Sequence, residues 1–400
     1  MKTFYQTQAE ITPQIATELL ARFGSPLYVY DAAMVRRAFD EFRAAFSYEP
    51  ADFHYAIVCN KNAYLVRLLY EMGAGIHANT PGDAHAALVA GVPPQRIVYS
   101  GTNLNAADFE YLLNRQLLMN IDSLDQLRDL ASFGGRGETG LRLLIDDADR
   151  PNRIGVTVAE LPEAVDIAQR AGLRLAGLHM YTGTNTLRAK RFIECLDRMI
   201  EASDILPDLE YLDVGGGFGV AYKEDRSRLD LHALGQEFSR RMHTLSERRG
   251  RAVRLIIEPG RVLVAHAGML LMRVVSVKQR GGRRYVGVDS TVGNIVVESV
   301  YHPYHRIEAI SPRTALLDIP TDVCGNTTHS RDYLGRSCRL PELIPGDILA
   351  LRDVGAYGYA MSSHFLNRPR PAEVVIDGGI FHLTTRRETF DDLLATQVRI

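Results

Sequence analysis

Short apolar runs alternate with longer amphipathic stretches along the first two thirds of the chain. The amphipathic stretches, such as AYLVRLLYEMG and TVAELPEAVDIAQRAG, repeat apolar residues at helical spacing. The apolar runs have the length of strands and end in turn residues. Eight occur, at residues 53–58, 75–79, 96–101, 117–122, 141–146, 175–181, 211–216 and 254–260. Because alternating strands and helices require parallel pairing, eight such units favour a closed (β/α)8 TIM barrel.

From about residue 268 the pattern changes to strands without helices between them. The strand-like runs are at residues 269–279, 283–290, 313–320, 346–353 and 372–379. Gly281 and Gly282, in the charged stretch KQRGGRRY, predict a hairpin turn. The sequence therefore predicts an α/β barrel over residues 31–267, followed by a β-sandwich or β-barrel domain over residues 268–400.

The composition argues against several classes of protein. The 400 residues have a formal net charge of -2, so no basic face is expected for nucleic acid or an anionic membrane. No stretch reaches the ~18 apolar residues that span a bilayer, and the start MKTFYQTQAE lacks an apolar signal region. The four cysteines have neither disulfide-framework nor zinc-site spacing. We therefore expect a cytoplasmic protein with reduced thiols.

Two strand ends carry candidate chemistry. In such a barrel, active sites form at the carboxyl ends of the strands, and phosphate often binds after strands seven and eight. The stretches DVGGGFG and EPGR follow those strands. Gly215, Gly216 and Gly217 could bring backbone N–H groups close to an anion, and Arg261 could add a charged contact. Glu258 could keep a pyridine nitrogen protonated, or it could equally be tied to a neighbouring arginine.

Together with YAIVCNKN, RIVYSG, GLHMYTGT, CGNTTHSRD and GAYGYAMSSHFLNRPRPAEVVIDGG, these motifs resemble the fold-type III pyridoxal-phosphate decarboxylases. That group includes diaminopimelate, ornithine and arginine decarboxylases, and the resemblance runs over almost the whole chain. It implies pyridoxal 5'-phosphate as the cofactor and an amino acid as the substrate. It also implies that residues 1–30 join the β-domain, and that a head-to-tail homodimer shares its active sites.

The resemblance also implies individual roles. Glu258 would pair with the pyridine nitrogen, and Tyr181 would stack on the cofactor ring. Cys324 of the other subunit would be the acid near the substrate α-carbon, and Asp332 would face the substrate from the same loop. Tyr357 would contact both substrate and phosphate. The full set of phosphate ligands would be Thr184, Gly215, Gly216, Gly217, Arg261 and Tyr357.

Three positions depart from the family pattern around one face of the cofactor. Val58 stands where the family has its Schiff-base lysine, His77 replaces an aspartate, and Tyr181 replaces the stacking histidine. Three explanations stay open for Val58: natural divergence together with His77, an engineered substitution that traps a ligand, or replacement by Lys61. Without the lysine, exchange of cofactor and substrate would be slow, and His77 could serve as the substitute acid or base.

The expected substrate positions depart as well. Cys324 is followed by Gly325 and Asn326 instead of the acidic residue that binds a distal amine. Val297 stands where diaminopimelate decarboxylases have an arginine for the distal carboxylate. We therefore expect an amino acid with a modified or enlarged side chain, such as an intermediate of siderophore or antibiotic assembly, in place of diaminopimelate.

Two other functions remain open on the sequence. A non-catalytic homologue that binds cofactor or a partner is favoured by Val58. A racemase would need an acid–base pair, for which Tyr181 with His77 is a loose candidate. His302 and His305 have metal-like spacing but no obvious third ligand, so the sequence predicts no metal site.

Overall fold

The structure is a computed structural model that describes residues 11–145, 153–223, 225–296, 304–310 and 313–398. The chain divides into two compact units. The barrel unit comprises residues 39–221 and 227–262, and the β unit comprises the described parts of residues 1–38, 222–226 and 263–400. Within the described ranges, no helix has both the length and the apolar character needed to cross a bilayer.

The chain begins with helix α1 (Pro13–Phe23), strand β1 (Leu27–Asp31) and helix α2 (Ala32–Ala45). Eight parallel strands then close the barrel. They are β2 (Ala51–Ala56), β3 (Gly75–Ala78), β4 (Ile97–Ser100), β5 (Leu118–Ile121), β6 (Gly137–Arg142), β7 (Leu173–His179), β8 (Tyr211–Asp213) and β9 (Arg254–Ile257). Pairing of β9 with β2 completes the ring.

Helices follow the barrel strands, and those after the first four strands begin at side-chain caps. They are α3 (Ala63–Glu71), α4 (Pro81–Val89), α5 (Ala106–Leu113), α6 (Leu124–Ser132), α7 (Leu161–Ala171), α8 (Ala189–Ala202), α9 (Leu231–Arg249) and the short α10 (Arg261–Val264). Asn62, Thr80, Asn105 and Ser123 each accept a backbone N–H of the first turn of α3, α4, α5 and α6. These caps end the strand-to-helix loops and so fix where the barrel-mouth residues lie.

Tyr211 fills the interior of the barrel. Its ring is fully buried and packs with Ala176 and Ile256. A Cβ atom at Gly177 would overlap this ring, so the glycine leaves the space that the tyrosine occupies. The Tyr211 hydroxyl donates a 2.7 Å hydrogen bond to Asn120 Oδ1. The floor of the barrel mouth therefore rests on a packed and hydrogen-bonded layer.

The β unit is built on a mixed nine-stranded sheet that includes β1. Its other strands are β10 (Gly268–Arg280), β11 (Arg283–Val288), β12 (Ile307–Ile310), β13 (Thr321–Cys324), β14 (Tyr333–Cys338), β15 (Ile348–Arg352), β16 (Ala372–Asp377) and β17 (Ile380–Thr385). The order is β14-β13-β11-β10-β1-β16-β17, with β15 joining β10 to β12. Helix α11 (Phe390–Leu394) follows the sheet.

The structure confirms the barrel, the mostly-sheet C-terminal part and the hairpin at Gly281 and Gly282, which have φ of +57° and +71°. The strand predicted at residues 313–320 is wrong. That stretch makes only a single bridge, from Leu316 to Pro341. Leu316 is exposed, so the apolar residues of the stretch do not form the buried face on which the prediction relied.

Candidate active site

Three side chains from different strands meet at the carboxyl ends of the barrel strands. His77 lies in β3, His179 ends β7, and Glu258 follows β9. Glu258 Oε1 is 3.3 Å from His77 Nε2, and Glu258 Oε2 is 3.4 Å from His179 Nε2. The two imidazole rings are nearly parallel, at 21°, with their centroids 6.1 Å apart. All three side chains are buried.

Burial controls the protonation of this cluster. It raises the pKa of Glu258 to about 8 and, together with the nearby Glu258, raises the pKa of Asp213 well above its ordinary value. Burial also lowers the pKa of His179 to about 4 and that of His77 well below its ordinary range. At neutral pH the imidazoles are therefore neutral and Glu258 carries a proton, so the short N–O separations join neutral groups instead of ion pairs.

The glycine run after β8 is a tightly folded loop beside this cluster. Gly215 donates its N–H to Asp213 Oδ1 at 3.0 Å. Gly215 and Gly217 have φ of +64° and +99°, and a Cβ at Gly217 would overlap the carbonyl oxygen of Gly183. The described part of the chain offers no hydrogen-bond acceptor to the N–H groups of Gly216 and Gly217. Two adjacent backbone donors are therefore available to an anion.

Tyr181 and Thr184 lie in the loop after β7. The Tyr181 ring is 39% exposed, and its hydroxyl is 2.8 Å from Thr184 Oγ1. The guanidinium of Arg142, at the end of β6, lies 5.7 Å from the Tyr181 ring centroid. Arg261 is partly buried at the start of α10. Its charge acts on Tyr181, so it lies on the same side of the barrel.

Val58 lies in a single 3₁₀ turn, Ile57–Cys59, that follows β2. Ile57 and Cys59 are buried, whereas Val58 is 40% exposed, so Val58 is the residue of this turn that faces away from the core. Cys59 is held against Gly260, where a Cβ would overlap its sulfur. The position is thus at the barrel mouth, but one turn beyond the strand in which the sequence places it.

Lysine is scarce in this protein. The chain has five lysines, at positions 2, 61, 190, 223 and 278, and the described residues of the barrel unit include only Lys61 and Lys190. Lys61 is exposed in the loop before α3, and Lys190 lies in the first turn of α8, 3.6 Å from Glu194. Lys61 lies in the loop after β2 but is exposed, whereas His77, His179 and Glu258 are buried. The barrel unit therefore presents no lysine amine among His77, His179 and Glu258.

Comparison with known proteins identifies the family. The family described as "Pyridoxal-dependent decarboxylase, pyridoxal binding domain" matches residues 32–265. A diaminopimelate decarboxylase of Methanothermobacter thermautotrophicus is 33% identical over 96% of this chain and 94% of its own length. That of Escherichia coli K12 is 30% identical over 99% of both chains. A solved diaminopimelate decarboxylase structure superposes with a TM-score of 0.89 at 29% identity, covering 99% of both chains. The chain belongs to the pyridoxal-dependent decarboxylases.

This membership confirms the family, the enzyme class and the cofactor that the sequence predicts: a pyridoxal-phosphate-dependent amino-acid decarboxylase. The decarboxylase offers two parts of the cofactor site. The free N–H groups of Gly216 and Gly217 suit the phosphate, and the buried, proton-bearing Glu258 suits a pyridine nitrogen. At the position where the resemblance implies the lysine for covalent attachment, the chain has Val58.

The remaining predicted residues of the decarboxylase belong to the β unit. Cys324 ends β13, and burial and then the charge of Asp322 raise the pKa of its thiol, which is therefore protonated at neutral pH. Tyr357 is partly buried with φ of +62°. His305 is buried, and its Nδ1 is 3.0 Å from the carbonyl oxygen of Arg352.

The carboxylate of Asp332 is held by hydrogen bonds within the β unit. The side chain is buried, and Oδ1 accepts hydrogen bonds from Thr291 Oγ1 and the Val292 N–H. Oδ2 accepts hydrogen bonds from the Thr327 N–H and hydroxyl. Because both oxygens accept hydrogen bonds within its own unit, Asp332 orders this loop, and its contact with substrate stays a prediction. Val297 and His302 lie outside the described residues.

Sequence reasoning missed three residues of the site: Arg142, His179 and Asp213. The sequence did carry a signal for His179. It lies two residues before Tyr181 at the end of a strand, and residues two apart point to the same face of a strand. Asp213 directly precedes the glycine run that was singled out. Arg142 had no signal of its own, since a single arginine in a strand pattern is not distinctive. Its position beside the cluster follows only from closure of the barrel.

Proposed function

We propose that this decarboxylase binds pyridoxal phosphate without covalent attachment and removes the α-carboxylate of an amino acid with a modified or enlarged side chain. One observation carries the proposal. The loop after β8 offers two N–H groups without an acceptor beside the buried Glu258, and the turn after β2 carries Val58, where the resemblance implies a lysine. A chain that binds no cofactor would not need two N–H donors without acceptors beside a buried carboxyl group.

Different residues of the chain would hold different parts of the cofactor. Gly216 and Gly217 would bind the phosphate through their N–H groups, with Thr184, Arg261 and Tyr357 as the side-chain contacts. Tyr181, exposed at the barrel mouth, would pack on the ring. When bound, the cofactor supplies an electron sink for the carbanion left by loss of carbon dioxide. Its ring nitrogen must stay protonated for this purpose.

Two groups are placed to hold or move protons. The carboxyl group of Glu258 carries the proton that a pyridine nitrogen needs, and the neutral imidazole of His77, 3.3 Å away, can share it. The protonated thiol of Cys324, supplied by the partner in a head-to-tail homodimer, would return a proton to the α-carbon. This division gives Cys324 and His77 the catalytic roles.

The residue after Cys324 supports a substrate without a distal amine. A Cβ atom at Gly325 would overlap the carboxylate of Asp332, whose oxygens are already held by neighbours. An acidic side chain therefore does not fit at position 325 without displacing Asp332. The solved relatives include a diaminopimelate decarboxylase of Helicobacter pylori complexed with L-lysine, with a TM-score of 0.87 and 29% identity over 95% of this chain and 98% of its own. We propose a different side chain for the substrate here, as in siderophore or antibiotic intermediates.

The test is a cofactor titration of the natural chain and of Val58→Lys, with Val58→Met as the matched control. Each protein is reduced with borohydride and its peptides are mapped by mass. We expect saturable binding without an adduct for the natural chain and for Val58→Met, and an adduct on residue 58 only in Val58→Lys. Because Val58 is 40% exposed, the lysine should be accommodated without loss of fold.

Other results contradict the proposal in distinct ways. An adduct on Lys61 of the natural chain means that covalent attachment has moved. Absence of cofactor binding favours a non-catalytic homologue, and a colourless Val58→Lys protein means that the site is placed wrongly. Release of carbon dioxide from a panel of amino acids with enlarged side chains, and not from diaminopimelate, then tests the substrate.

A further inference from the structure

Two imidazoles and one carboxyl group converge at the mouth of the barrel. One ligand atom from each of His77, His179 and Glu258 lies within 4.8 Å of the others, and all three side chains are buried. Across the described ranges, no other three His, Cys, Asp or Glu side chains meet in this way. Two imidazoles with one carboxylate form a common ligand set for a divalent metal that keeps an open coordination position.

The distances suit a metal ion. Bonds of about 2.0–2.1 Å in tetrahedral geometry place neighbouring ligand atoms roughly 3.4 Å apart. The two separations between imidazole nitrogen and Glu258 oxygen are 3.3 and 3.4 Å. Each imidazole faces a different oxygen of the Glu258 carboxyl group. Since one ligand atom from each residue lies within 4.8 Å of the others, binding of one ion needs the side chains to close by on the order of an ångström.

Several polar atoms of this cluster lack hydrogen-bond partners inside the protein. Both ring nitrogens of His77, Nδ1 of His179 and Oε1 of Glu258 are buried without a hydrogen bond in the described structure. Buried polar atoms are normally paired, because leaving them unpaired costs free energy. Two other buried histidines have one ring nitrogen paired: His54 Nδ1 lies 3.4 Å from the Ile76 oxygen, and His305 Nδ1 lies 3.0 Å from the Arg352 oxygen. His77 differs from them, and a bound ion would explain the difference.

The residue at position 77 decides the chemistry of this cluster, because Nε2 of His77 faces Glu258 Oε1 at 3.3 Å. The family aspartate at position 77 would give a different ligand set. The histidine therefore changes this corner of the site from one suited to an amine to one suited to a metal ion.

We propose that His77, His179 and Glu258 form a binding site for a divalent transition metal of the Zn²⁺ type, and that the metal and pyridoxal phosphate exclude each other. The exclusion rests on the proposed function, because it assumes that Glu258 pairs with the pyridine nitrogen. The metal site itself does not rest on it. Occupation by metal would thus hold the enzyme in a form that cannot bind its cofactor productively.

The experiment uses untagged, cofactor-free protein stripped with a chelator and titrated with Co²⁺ as the spectroscopic probe. We expect one Co²⁺ per chain, with visible d–d absorption that Zn²⁺ displaces. His77→Leu should bind Co²⁺ at least tenfold more weakly, because one of three ligands is lost. The matched control is His232→Asn, which removes an exposed histidine on α9 and should bind as the natural chain does.

The opposing results are equally definite. Failure of the natural chain to bind one equivalent, or equal binding by His77→Leu, overturns the metal site. Circular dichroism checks that His77→Leu folds. If that variant does not fold, Glu258→Gln is used in its place. Pyridoxal phosphate added to the Co²⁺ form should abolish the d–d bands, and simultaneous binding overturns the exclusion. If the protein binds Co²⁺ but never binds the cofactor, the proposed function is refuted while the metal site is confirmed.

Discussion

Gly217 provides the sharpest test of the phosphate loop, through the substitution Gly217→Ala. Its φ of +99° is strained for alanine, and the new Cβ would overlap the carbonyl oxygen of Gly183. Gly91 is a matched control, because its φ is +92° and a Cβ there would meet nothing within 4 Å. Gly91→Ala therefore measures the backbone strain alone, and Gly217→Ala adds the collision.

The two costs can be estimated separately. Forcing alanine into this region of φ costs about 1–3 kcal/mol at either position. The collision makes the Gly183 carbonyl retreat by roughly an ångström or more to reach an ordinary van der Waals separation. The loop is tied there by the Thr186 N–H to the Gly217 oxygen, at 2.8 Å, and by the Gly219 N–H to the Thr186 oxygen, at 3.0 Å. Loss of one or both bonds adds about 1–2 kcal/mol.

Urea unfolding measures the loss of stability, and cofactor titration measures the loss of phosphate binding. Gly217→Ala should lose about 1–2 kcal/mol more unfolding free energy than Gly91→Ala. Displacing one N–H donor from a charged phosphate costs about 1.5–3 kcal/mol, so its affinity for pyridoxal phosphate should fall roughly 10- to 100-fold. Pyridoxal, which lacks the phosphate, should bind both variants alike. Unchanged affinity of Gly217→Ala for pyridoxal phosphate would falsify the placement of the phosphate.

Two further predictions concern the barrel. Tyr211→Phe removes the 2.7 Å hydrogen bond to Asn120. It should lower the free energy of unfolding in urea by about 1–3 kcal/mol, because the buried Asn120 oxygen loses its donor. An unchanged free energy of unfolding would mean that this oxygen finds another donor. Burial lowers the pKa of His54 to about 4, below its ordinary 6.5. Because the unfolded chain then binds a proton more readily than the folded protein, stability is lost as the pH falls from about 6.5 to 4. The loss from this residue is up to about 3 kcal/mol, and His54→Gln should be less sensitive to acid over that range; equal slopes would refute the assignment.

The periodicity of the chain predicts its fold well, because each strand–helix unit is a local pattern. The eight barrel strands lie where apolar runs predict them, with ends shifted by a few residues. The hairpin at Gly281 and Gly282 follows from turn chemistry alone. The stretch at residues 313–320 shows the limit: its apolar residues are as suited to a strand as those of β16, but only tertiary contacts decide which of them are covered.

The candidate site is predicted less completely than the fold. The glycine loop and Glu258 could be found because they follow strands in sequence. The contacts of Glu258 with His77 and His179 could not, because they join β3, β7 and the end of β9 across the barrel mouth. The resemblance places Asp332 near the substrate, but it could not predict the four hydrogen bonds of its carboxylate, two of which come from Thr291 and Val292, about 40 residues earlier in the chain.

The joint occurrence of Val58 and His77 in one site bears on how the site arose. The resemblance implies a lysine and an aspartate at these positions, so the two changes together would remove one positive and one negative charge. Replacing the lysine alone would leave an unpaired carboxylate in a buried cluster that already contains Glu258 and Asp213, both with raised pKa. A neutral histidine avoids that cost. A single substitution made to trap a ligand would not change position 77, so the pair favours divergence of the natural chain toward a site that works without the lysine.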